Sequence, residues 1–414
     1  MQHSPALTSS RVRWLTLLAG LGPGLIVMLA DTDAGSIITA AQSGSVWGYK
    51  LLPLQFLLVP VLFVVQELTV RLGLVTGQGH GELIRDHFGK GWAWLSASTL
   101  VVACVGALIS ELSGLAGVGQ LFGIPAWQTV SLVVACIVLM GLTHSYRSIE
   151  RIAVAFGLFE LVFLYIAFAS HPDRAAIRED LRAIPFFDRG YLYLVTANIG
   201  AVIMPWMVFF QQSAVVEKGM GPGQLKLARW ETAVGALITQ LVMAAVLVAT
   251  AATLGQSGNH AELNDVQQIS ETLVPFLGEN LGKVVFVFGI SGAALVATIV
   301  VSLTAAWGVG EVAGYRRSLA DHPLQAPWFY GIFAACLVSG GALVASGVNL
   351  VSLSVAVEVI NALLLPIVLG FLYLLARRTL PEEHRLKGAY AWIAGLVMAM
   401  TTGFGIFSGI ASLF

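Results

Sequence analysis

Residues 29–44 read "LADTDAGSIITAAQSG" and set two carboxylates, Asp31 and Asp33, inside an otherwise apolar run. An acid buried at membrane depth needs either a basic partner or a cation. Hardly any Lys or Arg lies within the apolar runs, so a cation is the expected partner. Residues two apart do not share a face of a regular helix. The stretch is therefore expected to unwind, which membrane depth tolerates only where backbone is buried in protein or lines a wet cavity.

The rest of the chain frames that stretch. Of 414 residues 57% are apolar and only 11% charged, with a mean hydropathy of +0.83, against roughly 25% charged in a soluble domain. This is the composition of an all-α integral membrane protein with no room for a sizeable soluble domain. "MQHSPALTSS" is a short polar tail, and no cleavable signal is expected after it. A net charge of −1 excludes the basic footprint of a nucleic-acid binder. Cys104, Cys136 and Cys336 lack metal-ligand spacing and read as small buried hydrophobes rather than disulfide or zinc ligands. No nucleophile stands with a base, and "GQGHG" lacks the strand-to-helix setting of a phosphate loop, so no enzyme is expected and no cofactor is called for.

Runs long enough to cross about 30 Å of hydrocarbon predict about eleven transmembrane helices, near 13–44, 50–75, 92–119, 126–144, 150–170, 190–216, 229–254, 283–312, 327–346, 349–376 and 389–412. Residues 1–12 form the tail, 13–376 the core, and 377–414 a loop with the eleventh helix. One set of loops collects most of the basic residues, among them Arg11, Arg13, Arg71, Arg85, Arg147, Arg316, Arg317, Arg377 and Arg378. The positive-inside rule then makes the N-terminus cytoplasmic and the C-terminus external, in the plasma (inner) membrane.

The sixth span, "TANIGAVIMPWMVFFQQS" (196–213), is broken by Pro205, which lacks an N–H and clashes with the preceding turn. Two interrupted spans at corresponding positions of two halves point to a transporter site at the midplane. Spans 1 and 6 are separated by an odd number, so the halves, about 13–170 and 190–376, form a five-plus-five inverted repeat.

The chain resembles the Nramp family of divalent metal transporters over most of its length. The likeness rests on the "GPG" at Gly22, the Asp-x-Gly-x motif of span 1, "GSVWGY" at 44–49, "RLGLVTG" ending span 2, "ELSGLAGVGQLFGIP" in span 3 and "GAVIMP" in span 6. The resemblance implies the leucine-transporter-like fold with broken helices 1 and 6. It also implies metal ligation by the Asp33 carboxylate, the Met204 sulfur and backbone carbonyls near Ala201 and Ala30. The family's site asparagine falls on Ser36, its span-6 histidine on Trp206, and an Asp of span 3 on Leu108; Asp31 is an added acid. Two proton-handling groups of the family are thus replaced, which resembles the divergent Nramp-related magnesium transporters. Mg²⁺ takes oxygen ligands and retains waters, whereas the Met204 thioether is soft and favours Mn²⁺ or Fe²⁺.

The candidate set is therefore Asp33, Ser36, Met204, Ala201, Ala30 and Asp31 around the metal, with Gly35, Pro205, Trp206, Glu111 and Glu358 in gating or the ion pathway. Glu67, four residues before Arg71, reads equally as half of a helix-surface ion pair near the cytoplasmic end or as a transport residue. Glu231 and Glu311 read as solvated near the inner boundary, Glu160 as a deeper candidate, Gln211 and Gln212 as interhelix hydrogen bonders, and His80 and His144 as solvated loop histidines. The expected function is a secondary carrier of divalent metal cations by alternating access, Mg²⁺ narrowly favoured and without evident proton coupling. Alternatives are proton-coupled Mn²⁺/Fe²⁺ uptake and, from another class, a sodium-coupled symporter of a small organic substrate. The expected partners are the metal cation and the lipid bilayer; the oligomeric state stays open, a monomer included.

Overall fold

The computed structural model describes residues 23–141, 158–254, 262–318 and 321–413. The tail, Gly22, His144 and the start of span 5 lie outside the described residues. The described chain runs α1 (Pro23–Asp31), α2 (Ala34–Trp47), α3 (Leu52–Thr76), α4 (His80–Phe88), α5 (Lys90–Leu121), α6 (Ala126–Gly141), a 3₁₀ turn (Leu158–Leu161) into α7 (Val162–Ala169), and α8 (Arg174–Arg182). It continues through α9 (Arg189–Val202), α10 (Pro205–Glu217), α11 (Leu225–Thr253), α12 (Val266–Leu277), α13 (Glu279–Ala313), α14 (Pro327–Ala345), α15 (Leu350–Arg378) and α16 (Gly388–Leu413). Eight described helices, counting α9 with α10 as one, are long and apolar enough to cross a membrane. Predicted span ends that fall on described residues lie within a few residues of the helix ends. Among the described residues, the connections carry three helices that hydropathy alone reads as loops: α4, α8 and α12.

Both predicted breaks are present, and local chemistry explains each. At the first, α1 ends at Asp31 and α2 begins at Ala34, with Asp33 extended as its N-cap and its side chain accepting from the Ser36 N–H. At the second, α9 closes on Ile203 and α10 opens with Met204 extended as N-cap and Pro205 at its first position. Proline fits there because its ring presets φ and the first helical N–H has no intrahelical partner anyway.

Burial sets the arrangement. In the most apolar stretch of α9–α10, 94% of residues are buried, against 33% for α16, so the sixth span is central and the last is peripheral. Large apolar side chains such as Phe56, Leu57, Trp127, Leu132, Trp328 and Trp392 are exposed around the outside, as a lipid-facing surface requires. Cys136 belongs to that surface: it is exposed, unlike buried Cys104 and Cys336, which corrects its reading as a buried hydrophobe. Hydropathy cannot separate contact with lipid from contact with protein.

α9 packs on α15 through Gly200, where an added Cβ would stand 1.8 Å from the Glu358 carbonyl oxygen and 2.8 Å from the Ala362 nitrogen. Backbone cannot swing aside as a side-chain end can. Gly200→Ala is therefore expected to lower stability by about 3 kcal/mol, the upper end of overpacking penalties; thermal unfolding in detergent reads this, and an unchanged midpoint would contradict the close approach.

The pair expected on a helix surface, Glu67 and Arg71, is buried instead, a correction of the sequence reading. Glu67 is 2% exposed and accepts from Arg71 Nη2 at 2.7 Å, Arg229 Nε at 2.6 Å and the Tyr390 hydroxyl at 3.0 Å. One carboxylate thus ties together α3, α11 and α16. The i,i+4 spacing is visible in the sequence; the remote partners that bury the pair are not.

Candidate functional site

The first break brings carboxylates together from four directions. Asp33 Oδ1 accepts from Ser36 N at 2.7 Å, as suits a carboxylate at a helix N-terminus, and Oδ2 has no donor among the described residues. From α5, Glu111 Oε2 accepts from Ala34 N at 3.2 Å while Oε1 has no donor among the described residues. From α15, Glu358 accepts from Asn361 Nδ2 at 2.9 Å and from the Ser110 hydroxyl at 3.4 Å. It reaches the break because Gly35 leaves room: a Cβ there would stand 2.5 Å from Glu358 Oε1.

Asp31 is 1% exposed, and neither of its oxygens has a hydrogen-bond partner among the described residues. Its electrostatic neighbours are Asp33, Glu358 and Glu160, all of them acids. Glu160, from the turn preceding α7, accepts from the Thr32 hydroxyl at the break itself. In the sequence it stands out only for its depth in a span; its convergence with the break comes from packing no local pattern reveals.

The second break meets the first through Ser36, whose hydroxyl donates to the Ala201 carbonyl at 2.9 Å. Two of the proposed oxygen donors therefore touch. At the end of α1 the Met28 carbonyl is taken by the Thr239 hydroxyl and that of Leu29 by Thr32, while that of Ala30 is one of the four terminal carbonyls a helix leaves without an intrahelical partner. The Met204 sulfur accepts from Trp206 Nε1 at 3.1 Å, both side chains being fully buried. Among the described residues no three of His, Cys, Asp and Glu stand together as a ready metal cluster, so any ion here would combine Asp33 with hydroxyl, carbonyl or thioether donors. Among the described residues, none of the five acids has a Lys, Arg or His as a hydrogen-bonding or electrostatic partner. Asp31, Asp33, Glu111 and Glu358 are all essentially unexposed, so the acids of the break are held out of solvent.

The surroundings of His80 and Glu311 are built differently from their sequence reading. His80 is fully buried rather than solvated; its Nδ1 faces Gln212 Oε1 at 3.1 Å, and Gln212 Nε2 donates to the Gln78 carbonyl at 2.9 Å. The amide orientation makes Nδ1 the protonated nitrogen. Glu311 is also fully buried rather than solvated, accepting from Gly81 N at 2.8 Å and the Ser213 hydroxyl at 2.6 Å. α4 thus docks onto α10 and α13, with contacts that join residues far apart in sequence. Gln212 fills the interhelix role expected of it.

Burial pushes the His80 imidazole from its usual value of 6.5 down to about 4. The unfolded chain then binds more protons than the fold between those limits, so His80 contributes stability present above about pH 6.5 and lost as pH falls toward 4. Wild type is expected to lose thermal stability across that window, and His80→Gln to flatten the profile; parallel profiles would contradict the burial of a neutral imidazole.

Comparison with known proteins agrees with this architecture. Residues 24–411 match the family model "Natural resistance-associated macrophage protein-like", Nramp. A protein of Bradyrhizobium diazoefficiens named divalent metal cation transporter MntH is 27% identical over 315 residues, covering 72% of this chain and 69% of that one. The MntH of Aeromonas hydrophila is 26% identical over 425 residues, covering 99% and 100%. Among solved structures, the Eremococcus coleocola manganese transporter superposes with a TM-score of 0.76 at 19% identity, covering 99% of this chain and 89% of that one. MhsT in complex with L-phenylalanine gives 0.61 at 13% identity, covering 95% and 98%. These two share the fold of this chain, the inverted-repeat transporter architecture. A family match spanning nearly every described helix, on a chain broken at Asp33 and Met204, shows that the chain belongs to the Nramp family.

Proposed function

We propose that the chain carries divalent metal cations across the plasma (inner) membrane by alternating access around Asp33. The observation that carries this reading is the set of buried carboxylate oxygens without donors at the first break, with no basic partner among the described residues. Such groups are costly to bury unless a cation neutralises them. The names borne by the relatives support the same cargo.

In this reading Asp33, the Ser36 hydroxyl, the Ala201 and Ala30 carbonyls, Met204 and Asp31 surround the ion. Glu111 and Glu358 shape its aqueous route, and the unwound residues beside Gly35 and Pro205 act as hinges for rocking one repeat against the other. The N-terminus is cytoplasmic and the C-terminus external. Mg²⁺ is narrowly favoured over Mn²⁺: the donors are mostly oxygen, and Trp206 offers no titrating group for a coupled proton. Uptake into proteoliposomes, with Mg²⁺ and Mn²⁺ compared and luminal pH recorded, tests this. Mg²⁺ entry without acidification is the expected result; Mn²⁺ entry with acidification and none for Mg²⁺ would establish the proton-coupled alternative. The acids at the break disfavour a sodium-coupled organic symporter, because they repel a substrate carboxylate.

A further inference from the structure

The Met204 sulfur is not a free donor. The Trp206 indole N–H points at it from 3.1 Å, and both residues are fully buried. An indole nitrogen only donates, so once buried it needs an acceptor, and the thioether is the one it has found. Both residues sit on the first turn of α10: Met204 is the N-cap, and Pro205 between them fixes the local backbone. The pairing is therefore held by the helix start and not by flexible chain.

We propose that Trp206 sets the metal selectivity of the site by occupying the Met204 sulfur, so that the ion meets oxygen donors and hard cations are preferred to soft ones. This rests on the reading of the break as a cation site. A soft ion that recruits the sulfur competes with the indole for it and strands a buried N–H, whereas a hard ion takes the Asp33 carboxylate, the Ser36 hydroxyl and carbonyls and leaves the pair undisturbed. The penalty for stranding a buried donor corresponds to about a tenfold to hundredfold change in affinity. The thioether thus serves as a hydrogen-bond acceptor for its own chain, and the soft-metal preference that a methionine at this position would confer is suppressed.

The test is uptake by the full chain in proteoliposomes, with Cd²⁺ as soft and Mg²⁺ as hard probe, for wild type, Trp206→Phe, Met204→Leu and the double variant. Phenylalanine removes the N–H and keeps a ring, so the half-saturating Cd²⁺ concentration is expected to fall by about tenfold while that for Mg²⁺ stays unchanged. The double variant should lose that gain. Met204→Leu alone, which replaces the sulfur, keeps the bulk and strands the indole N–H, should shift the half-saturating concentrations of Cd²⁺ and Mg²⁺ by the same factor so that their ratio holds, and this arm stands even where Trp206→Phe does not fold. Unaltered Cd²⁺ uptake in Trp206→Phe, a gain that survives in the double variant, or selective weakening of Cd²⁺ by Met204→Leu would each overturn the inference. Uptake that does not depend on Asp33 in the wild-type background would instead overturn the cation site beneath it.

Discussion

Asp33→Ala is expected to abolish metal uptake, lowering it by at least about a hundredfold. Removing groups that only orient a metal ligand already weakens binding about 10–100-fold, and Asp33 is proposed as the ligand itself. The alanine has a second effect that must be separated from the first. Asp33 also caps α2 through the Ser36 N–H, and loss of a cap costs about 1 kcal/mol. Asp33→Asn keeps a good capping oxygen and discards the charge. Both variants should lose uptake, while only alanine should lower the unfolding temperature. Transport by Asp33→Asn at the wild-type rate would refute the assignment of the carboxylate to the ion, and equal stability of the two variants would refute its role as cap.

Glu67→Ala carries the largest expected loss of stability, about 3–5 kcal/mol, because it strips the partner from charges held out of water. Arg71, with only 8% of its side chain exposed, is left with a buried guanidinium, while Arg229 and Tyr390 lose their acceptor on α3. An exposed pair offers the contrast. Arg85 and Asp86 lie 3.1 Å apart with 27% and 40% of their side chains exposed, and Asp86→Asn should change stability by no more than about 1 kcal/mol. Thermal unfolding of both variants under one condition decides the matter: similar shifts would mean that burial does not distinguish the pairs.

Features governed by local chemistry are legible in the amino-acid sequence. A proline inside an apolar run, an acid pair where no base follows and a hydropathy period long enough to span a bilayer specify the spans and the two breaks. The family motif locates Asp33 and Met204 with the correct helix starts beside them. Contacts made across long sequence separations are not legible in this way. His80 and Glu311 lie in segments that read as boundary loops, yet α4 folds onto the ends of α10 and α13 and buries both. Glu160 meets Thr32 only because the turn before α7 lies against the break. Trp206 reads in sequence as the loss of a titrating group; its hydrogen bond to Met204 becomes visible only when both rotamers are placed.

The division of labour within the Asp33 carboxylate has a further consequence. One oxygen is held by the Ser36 N–H and the other has no donor among the described residues, so the group is already oriented when an ion arrives. Most flexible ligands lose rotamer freedom on binding, about 0.5–1.5 kcal/mol for each side chain immobilised. With Asp33 as the proposed ligand, that ordering is completed when α2 folds, and the proposed site would meet an ion preorganised, with its affinity drawn from charge and dehydration rather than diminished by entropy.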